Sequence, residues 1–338
     1  MTASSPSGVY EALARAGDDA DGPLRPRSFA EFVGQRRVVT NLTTWIEAAR
    51  RRGGVLDHVL LSGGPGLGKT TLAHLLAEAL GAQLKVTSGP ALEKPGDLVG
   101  LLTGLEEGDV LFVDEIHRLS RTVEEYLYAG MEDRAVDVVI DAGPAARSVR
   151  LTLAPFTLVG ATTREGLLSH PLRSRFGVVE KLEPYPENDI EQILLRSAGR
   201  LGCGLDADAA VMVSHRARGV PRVANRLLRR LRDVADLDNQ GRITLEVVQR
   251  GLGMLGIDER GLEDTDRRIL EVLQRLGGGP VGLKTIAVAI GEEEDTVEQV
   301  YEPYLIRLGL VIKTPRGREL APALRREAGG SASGLFGA

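Results

Sequence analysis

Gly63-Gly64-Pro65-Gly66-Leu67-Gly68-Lys69-Thr70 is the stretch on which the fold turns. It fits the pattern G-x-x-x-x-G-K-[S/T] without gaps. Val59-Leu60-Leu61 before it reads as a buried strand, and Thr70 to Leu80 after it reads as a helix ended by Gly81. In that context the glycines let several backbone N–H groups turn toward one anion, and the helix N-terminus adds its partial positive charge. Lys69 is expected to reach β- and γ-phosphates, and the Thr70 hydroxyl to ligate Mg2+. The bland alternative is a glycine-rich turn before a helix. The strand and helix on its flanks argue against it.

Working outward, Val110-Leu111-Phe112-Val113-Asp114-Glu115 is a second apolar run, ending in two carboxylates. Asp114 is expected to hold Mg2+ through water and Glu115 to polarise the attacking water as general base. Acid pairs after strands are common as solvated turns, so the pair gains meaning only beside the phosphate loop. Phe156 to Gly160 reads as a third buried strand. Ala161-Thr162-Thr163 follows and places hydroxyls where a γ-phosphate or lytic water could be sensed, or where a threonine simply caps the next segment. Arg173 and Arg175 near the end of this region, and Arg222 in Gly219-Val220-Pro221-Arg222, could stabilise charge on a transferring phosphoryl group. The alternative is ordinary surface arginine: seven lie between Arg216 and Arg232.

The chain has 338 residues, 43% hydrophobic and 26% charged, which suits a globular protein of two or three domains. Forty-two basic against 47 acidic residues give a net charge of −5, which excludes a uniformly basic coat but not a local basic patch. A single cysteine, Cys203, leaves no intramolecular disulfide, and five scattered histidines offer no zinc pattern. With no signal-like or bilayer-length apolar run, a cytoplasmic location is expected.

Five segments follow from texture. Residues 1–23 and 329–338 read as mobile ends. Residues 24–183 alternate short apolar runs with helices, the pattern of a parallel sheet covered on both faces. Residues 184–257 lose their strand signals and read as a small helical domain, with helices over Asp189 to Arg200, Asp206 to Arg218, Pro221 to Leu237 and Thr244 to Leu255. Residues 258–328 show three helices (Thr265 to Leu276, Leu283 to Ile290, Asp295 to Leu308), then strand, turn and strand, the order of a winged helix. Within the first domain, Ala135 to Leu153 reads as a β-hairpin turning at Asp141-Ala142-Gly143-Pro144. Its valines and isoleucine could form an exposed docking knob or cover their own sheet. Lys313, Arg316 and Arg318, with Arg325 and Arg326 beyond, could grip phosphates from the wing or form a solvated charged face.

These motifs, in this order, resemble the AAA+ ATPases, and among them the motors that drive branch migration of Holliday junctions. The closer likeness rests on Leu24-Arg25-Pro26, Val86-Thr87-Ser88-Gly89-Pro90, Glu93-Lys94-Pro95-Gly96-Asp97, Asp114-Glu115-Ile116-His117-Arg118-Leu119, Gly160-Ala161-Thr162-Thr163-Arg164, Arg175-Phe176-Gly177 and Thr314-Pro315-Arg316-Gly317-Arg318. It runs from about Leu24 to Arg326. The resemblance implies a P-loop AAA+ domain, a helical lid and a winged-helix DNA-binding domain. It implies a homohexamer that hydrolyses ATP with Mg2+ at subunit interfaces to translocate duplex DNA in recombination and repair. It also implies loading by the junction-binding protein RuvA through the hairpin around 136–150, and the resolvase RuvC in the wider assembly. By the same resemblance Leu24, Arg25 and Tyr185 would pack on the adenine. Gly66, Gly68, Lys69, Thr70 and Thr71 would hold phosphates and metal, while Glu132, Asp133 and Arg134 would line the nucleotide interface. Arg175 would be the arginine finger, Arg222 the second sensor, and Thr163 or Thr162 the first. Two readings of other classes compete. One is a non-motor ATPase switch. The other is a protein unfoldase, disfavoured because no aromatic residue occurs between Trp45 and Phe112.

Overall fold

The computed structural model describes residues 22–139, 148–237 and 241–328. The chain divides into two compact units, Arg25–Pro184 and Tyr185–Ala338, the latter with the N-terminal segment through Leu24.

The first unit is built on a five-stranded sheet. Its strands are β1 (Val59–Ser62), β2 (Leu84–Ser88), β3 (Val110–Asp114), β6 (Thr157–Thr162) and β7 (Val178–Lys181). They run parallel in the order β2-β3-β6-β1-β7. The three central strands are apolar or small along nearly their whole length and buried on both faces, as continuous Val/Leu runs require when helices cover both sides. Those helices are α1 (Arg36–Arg52), α2 (Lys69–Leu80), α3 (Pro95–Thr103), α4 (Arg121–Glu132) and the short α5 (His170–Arg173). Leu98, Leu102, Leu111, Ile116, Val123, Leu127 and Leu158 form one continuous core between sheet and helices. The strand expected from Phe156 begins at Thr157 and continues to Thr162.

β4 (Ala135–Val139) and β5 (Ser148–Thr152) pair antiparallel as the expected hairpin. Its turn, residues 140–147, lies outside the described residues. At the base, Val136 is buried, and Val138 and Leu151 pack against the domain core, while Val149 is exposed. The apolar side chains of the hairpin base therefore mainly cover the protein's own core. Among the described residues of the hairpin, Val149 is the apolar side chain left exposed for the docking-knob expectation.

The second unit begins with α6 (Glu187–Leu201), α7 (Ala207–Arg216), α8 (Pro221–Leu237) and α9 (Leu245–Met254). The expected absence of strands is corrected here: β8 (Gly204–Leu205) pairs parallel with β9 (Arg242–Ile243). Two residues per strand are too few to leave a periodic signal. Next come α10 (Asp264–Arg275), α11 (Leu283–Ile290), α12 (Glu294–Thr296), a π-helical turn (Val297–Tyr301) and α13 (Glu302–Arg307). The hairpin β10 (Val311–Thr314) and β11 (Gly317–Leu320) and helix α14 (Pro322–Ala328) complete it. The single helix expected over Asp295 to Leu308 is thus interrupted. Pro303 has no N–H to give the carbonyl four residues earlier, and the π turn just ahead of it accommodates the missing bond. Tyr301, wholly buried, anchors the winged-helix core with Leu270, Leu273, Ile286 and Leu305.

Candidate functional site

In a parallel sheet ligands gather at the carboxyl ends of the strands, and three central strands converge there with chemistry. β1 ends in the glycine-rich loop, β3 in Asp114-Glu115 and β6 in Thr162-Thr163. The loop is tied to β6 by the Gly63 N–H donating to the Thr162 carbonyl at 3.2 Å. Gly63, Gly66 and Gly68 have φ of 140°, 75° and 106°, and a Cβ on Gly63 would lie 2.6 Å from the Leu182 carbonyl oxygen. The N-cap of α2 is Gly68, which has no side chain to spend on the first N–H groups of the helix. Lys69, largely buried, donates to the Gly63 and Gly64 carbonyls at 2.9 and 3.0 Å. Its ammonium thus lies across the loop. Thr70 and Thr71 follow on the first turn, half-buried. An anion cradle that only glycine can form, with an ammonium over it, fits a polyphosphate.

Glu115 sits at φ 47°, a left-handed conformation unusual for a residue with a side chain. Its backbone N–H donates to its neighbour's Asp114 Oδ1 at 2.9 Å. The Glu115 Oε2 oxygen accepts from the Thr163 hydroxyl at 3.2 Å and lies 3.2 Å from His117 Nδ1. That nitrogen is also 2.9 Å from Thr162 Oγ1, which accepts the Arg164 N–H at 3.0 Å. Burial lowers the His117 pKa, with Glu115 opposing it, so the ring is neutral at pH 7. The neutral ring offers Nδ1 to both oxygens, as donor or acceptor according to its tautomer. Of the two threonines, Thr162 is wholly buried and spent on internal bonds, whereas Thr163 touches the carboxylate.

His117 and Gly89 have roles that the sequence did not reveal. A Cβ on Gly89 would collide with the Glu115 carbonyl oxygen, so the Ser88-Gly89-Pro90 segment packs directly on the strained backbone of Glu115. The signals available were the Thr87-Ser88-Gly89-Pro90 run and a histidine two residues past the carboxylate. Replacing His117 by alanine is expected to lower kcat for ATP about tenfold with ADP affinity unchanged, read by steady-state turnover and titration.

Arg175 lies elsewhere. It immediately precedes Phe176, Gly177 and β7, and a Cβ on Gly177 would meet Asp57, just ahead of β1. It therefore stands at the amino end of the sheet, opposite the loop. Its guanidinium donates to the Pro171 carbonyl at 2.6 Å and to Glu132 Oε2 at 2.9 Å. Arg175 and Arg134 line a cleft of about 350 Å3 together with Gly130, Met131 and Gly177. Glu132, Asp133 and Arg134 are exposed at the end of α4, and Asp133 pairs with Arg150 at 3.5 Å. Arg173 pairs with Glu165 at 2.7 Å.

In the second unit the Tyr185 N–H donates to the Gly219 carbonyl at 2.8 Å, which places buried Tyr185 against the turn leading to Arg222 at the start of α8. Leu24 is buried and Arg25 half-buried.

On the wing two of the three basic groups expected to grip phosphates are held by carboxylates of the same unit. Lys313 pairs with Glu298 and Glu302 at 3.0 and 3.1 Å, and Arg318 with Glu302 at 2.7 Å. Arg316, at the turn of the hairpin, is exposed.

Family models match three consecutive stretches: the Holliday junction DNA helicase RuvB P-loop domain over 24–182, the RuvB AAA lid domain over 185–258 and the RuvB C-terminal winged helix domain over 259–323. The chain belongs to the RuvB family. Among curated RuvB proteins, the Holliday junction branch migration complex subunit of Myxococcus xanthus is 58% identical over 299 residues, covering 88% of this chain and 87% of that one. The Chlorobaculum parvum subunit is 55% identical over 296 residues, covering 87% and 86%. The solved Thermotoga maritima RuvB Holliday junction branch migration motor aligns with a TM-score of 0.82 at 46% identity, over 92% of this chain and 100% of that one. Like other RuvB-family members this chain is a P-loop ATPase of the AAA+ class that serves Holliday junction branch migration in recombination and repair. Among the described residues no helix is long and apolar enough to cross a membrane.

Proposed function

We propose that this protein works in the cytoplasm as a homohexameric ring on duplex DNA, hydrolysing Mg2+-ATP where two subunits meet and passing the movement to the DNA. The observation that carries the intersubunit reading is the separation of Arg175 from the phosphate loop. β1 and β7 run parallel in register, Val59 beside Val178 and Ser62 beside Lys181. The loop follows one end and Arg175 precedes the other. Four strand residues already span about 13 Å. Arg175, bound at its own end of the sheet, is suited to a triphosphate held by another copy.

Within one subunit Lys69 and the loop N–H groups bind the β- and γ-phosphates, with Gly66, Gly68 and Thr71 shaping the cradle. Thr70 and Asp114 would hold Mg2+, which would supply charge neutralisation to the triphosphate. Glu115 accepts the proton of the attacking water, oriented by Thr163 and His117. Arg175 of the neighbour, beside Glu132, Asp133 and Arg134, stabilises the charge developing on the transferred group. Leu24, Arg25 and Tyr185 take the adenine side, and Arg222 reads the nucleotide from the lid.

Arg316 leads the DNA contact. Lys313 and Arg318 reach phosphates only by exchanging Glu298 and Glu302 for them, a weak and sequence-blind grip that suits a motor. RuvA docks on the hairpin around 136–150, where Val149 is exposed, and RuvC joins the same junction. The test is a synthetic four-way junction with RuvA, ATP and this protein. Resolution of the arms into two duplexes is expected, and its loss with Glu115→Gln, which still binds nucleotide. ATP consumption by the unaltered protein without arm separation would leave a non-motor switch.

A further inference from the structure

Helix α4 places Glu124, Tyr128 and Glu132 four residues apart, so the three side chains form one stripe along a single face. Each meets the segment that carries Arg175. Glu124, almost wholly buried, accepts from the Ser169 hydroxyl at 2.9 Å and from the Tyr128 hydroxyl at 2.6 Å. Tyr128 and Ser169 oxygens lie 2.8 Å apart, which closes the triangle. Ser169 is the N-cap of α5 and accepts the Leu172 N–H at 3.3 Å. Burial and the Glu124 carboxylate raise the Tyr128 pKa, so the phenol stays protonated and keeps donating. The Arg175 guanidinium carbon lies 4.5 Å from the centre of the Tyr128 ring, and its far nitrogen meets Glu132. The Arg175 Nε is buried without a hydrogen-bond partner, so the ring face and the two outer nitrogens carry the contacts.

We propose that Tyr128 is a positioning residue for Arg175. Its ring, locked by Glu124 and Ser169, is the shelf on which the guanidinium rests while its outer nitrogens hold the Pro171 carbonyl and Glu132. The inference rests on the reading of Arg175 as a residue that serves a neighbouring subunit. A cation on an aromatic face keeps its charge while losing rotamer freedom, and its two outer nitrogens remain able to exchange Glu132 and the Pro171 carbonyl for phosphate oxygens. A guanidinium already aligned spends less entropy on reaching the transition state, so the effect belongs in kcat and not in nucleotide affinity.

The test uses the full chain on duplex DNA with ATP. Tyr128→Leu removes the shelf and should lower kcat about tenfold with KM for ATP changed by less than about twofold. Tyr128→Phe keeps the ring and should stay within about threefold of the unaltered protein. Copies carrying Lys69→Ala cannot bind nucleotide productively but offer an intact Arg175 and Tyr128. Mixing them with Tyr128→Leu copies should raise turnover, as mixing with Arg175→Ala copies should. An unchanged kcat in Tyr128→Leu overturns the proposal. So does a loss that Lys69→Ala copies fail to relieve while they do relieve Arg175→Ala, because the defect then lies in the subunit's own nucleotide site or its folding. Failure to relieve Arg175→Ala itself would overturn the intersubunit reading first.

Discussion

Replacing Arg175 by alanine is expected to lower kcat for ATP about a thousandfold while ADP affinity stays within about twofold. Arg175 is built into the end of the sheet remote from its own loop, with its guanidinium bound to Glu132 and the Pro171 carbonyl. It makes no ground-state contribution to the cradle of its own subunit. A charge delivered only as the phosphoryl group transfers acts on the transition state, so its loss appears in turnover and spares binding. Arg173, exposed and paired with half-buried Glu165, is the matched control. Its alanine variant should keep turnover within about threefold, since exposed pairs are worth little. Steady-state hydrolysis on duplex DNA and an ADP titration separate the two. Normal turnover in the Arg175 variant would remove the residue from the mechanism.

The second large effect concerns stability. Replacing Arg218 by alanine is expected to cost the Tyr185–Ala338 unit about 3–5 kcal/mol of unfolding free energy, read from a urea transition. Arg218 is buried, at φ 57°, in the turn that leads to Arg222. Its guanidinium pairs with Asp266, which is wholly buried on α10, donates to the Gly261 carbonyl at 3.1 Å and stacks 4.4 Å from the Tyr304 ring centre. Burial pushes the Asp266 carboxyl up while Arg218 pulls it down. Without the arginine the carboxylate is left buried with no counter-charge, which is the expensive half of breaking such a pair. The double replacement Arg218→Met with Asp266→Leu should recover most of the loss, because two apolar groups leave nothing uncompensated. A double variant as unstable as the single one would locate the cost in packing or the backbone instead. The pair also joins the helical segment bearing Arg222 to the winged helix, so the same variants test whether the two move as one.

The central strands were legible because burial on both faces writes itself as an unbroken apolar run, as in Val110–Val113. Helices with a clear start and stop, such as Pro221–Leu237 and Leu283–Ile290, were read to the residue. Edge strands were not. In β2, Leu84-Lys85-Val86-Thr87-Ser88 is only partly buried, and Val86 is 55% exposed, so no continuous run survives. β7 alternates in the same way. The phosphate loop and the acid pair were legible because each is contiguous in sequence. What was not legible depends on partners far along the chain. Nothing near Lys313 or Arg318 announces that Glu298 and Glu302 neutralise them. Tyr128 and Arg175 are 47 positions apart, and only the packing of α4 against α5 brings them into contact.

The claim that a nucleotide is cleaved between two copies of this chain is tested most directly by mixing two inactive proteins. Arg175→Ala copies keep an intact loop but no finger. Lys69→Ala copies keep the finger but no working loop. Random assembly in equal amounts gives about a quarter of interfaces one intact half from each. ATP turnover on duplex DNA should reappear in the mixture, well above the sum of the separate proteins. A mixture that stays as inactive as its two components, while still assembling on the DNA, would contradict the account.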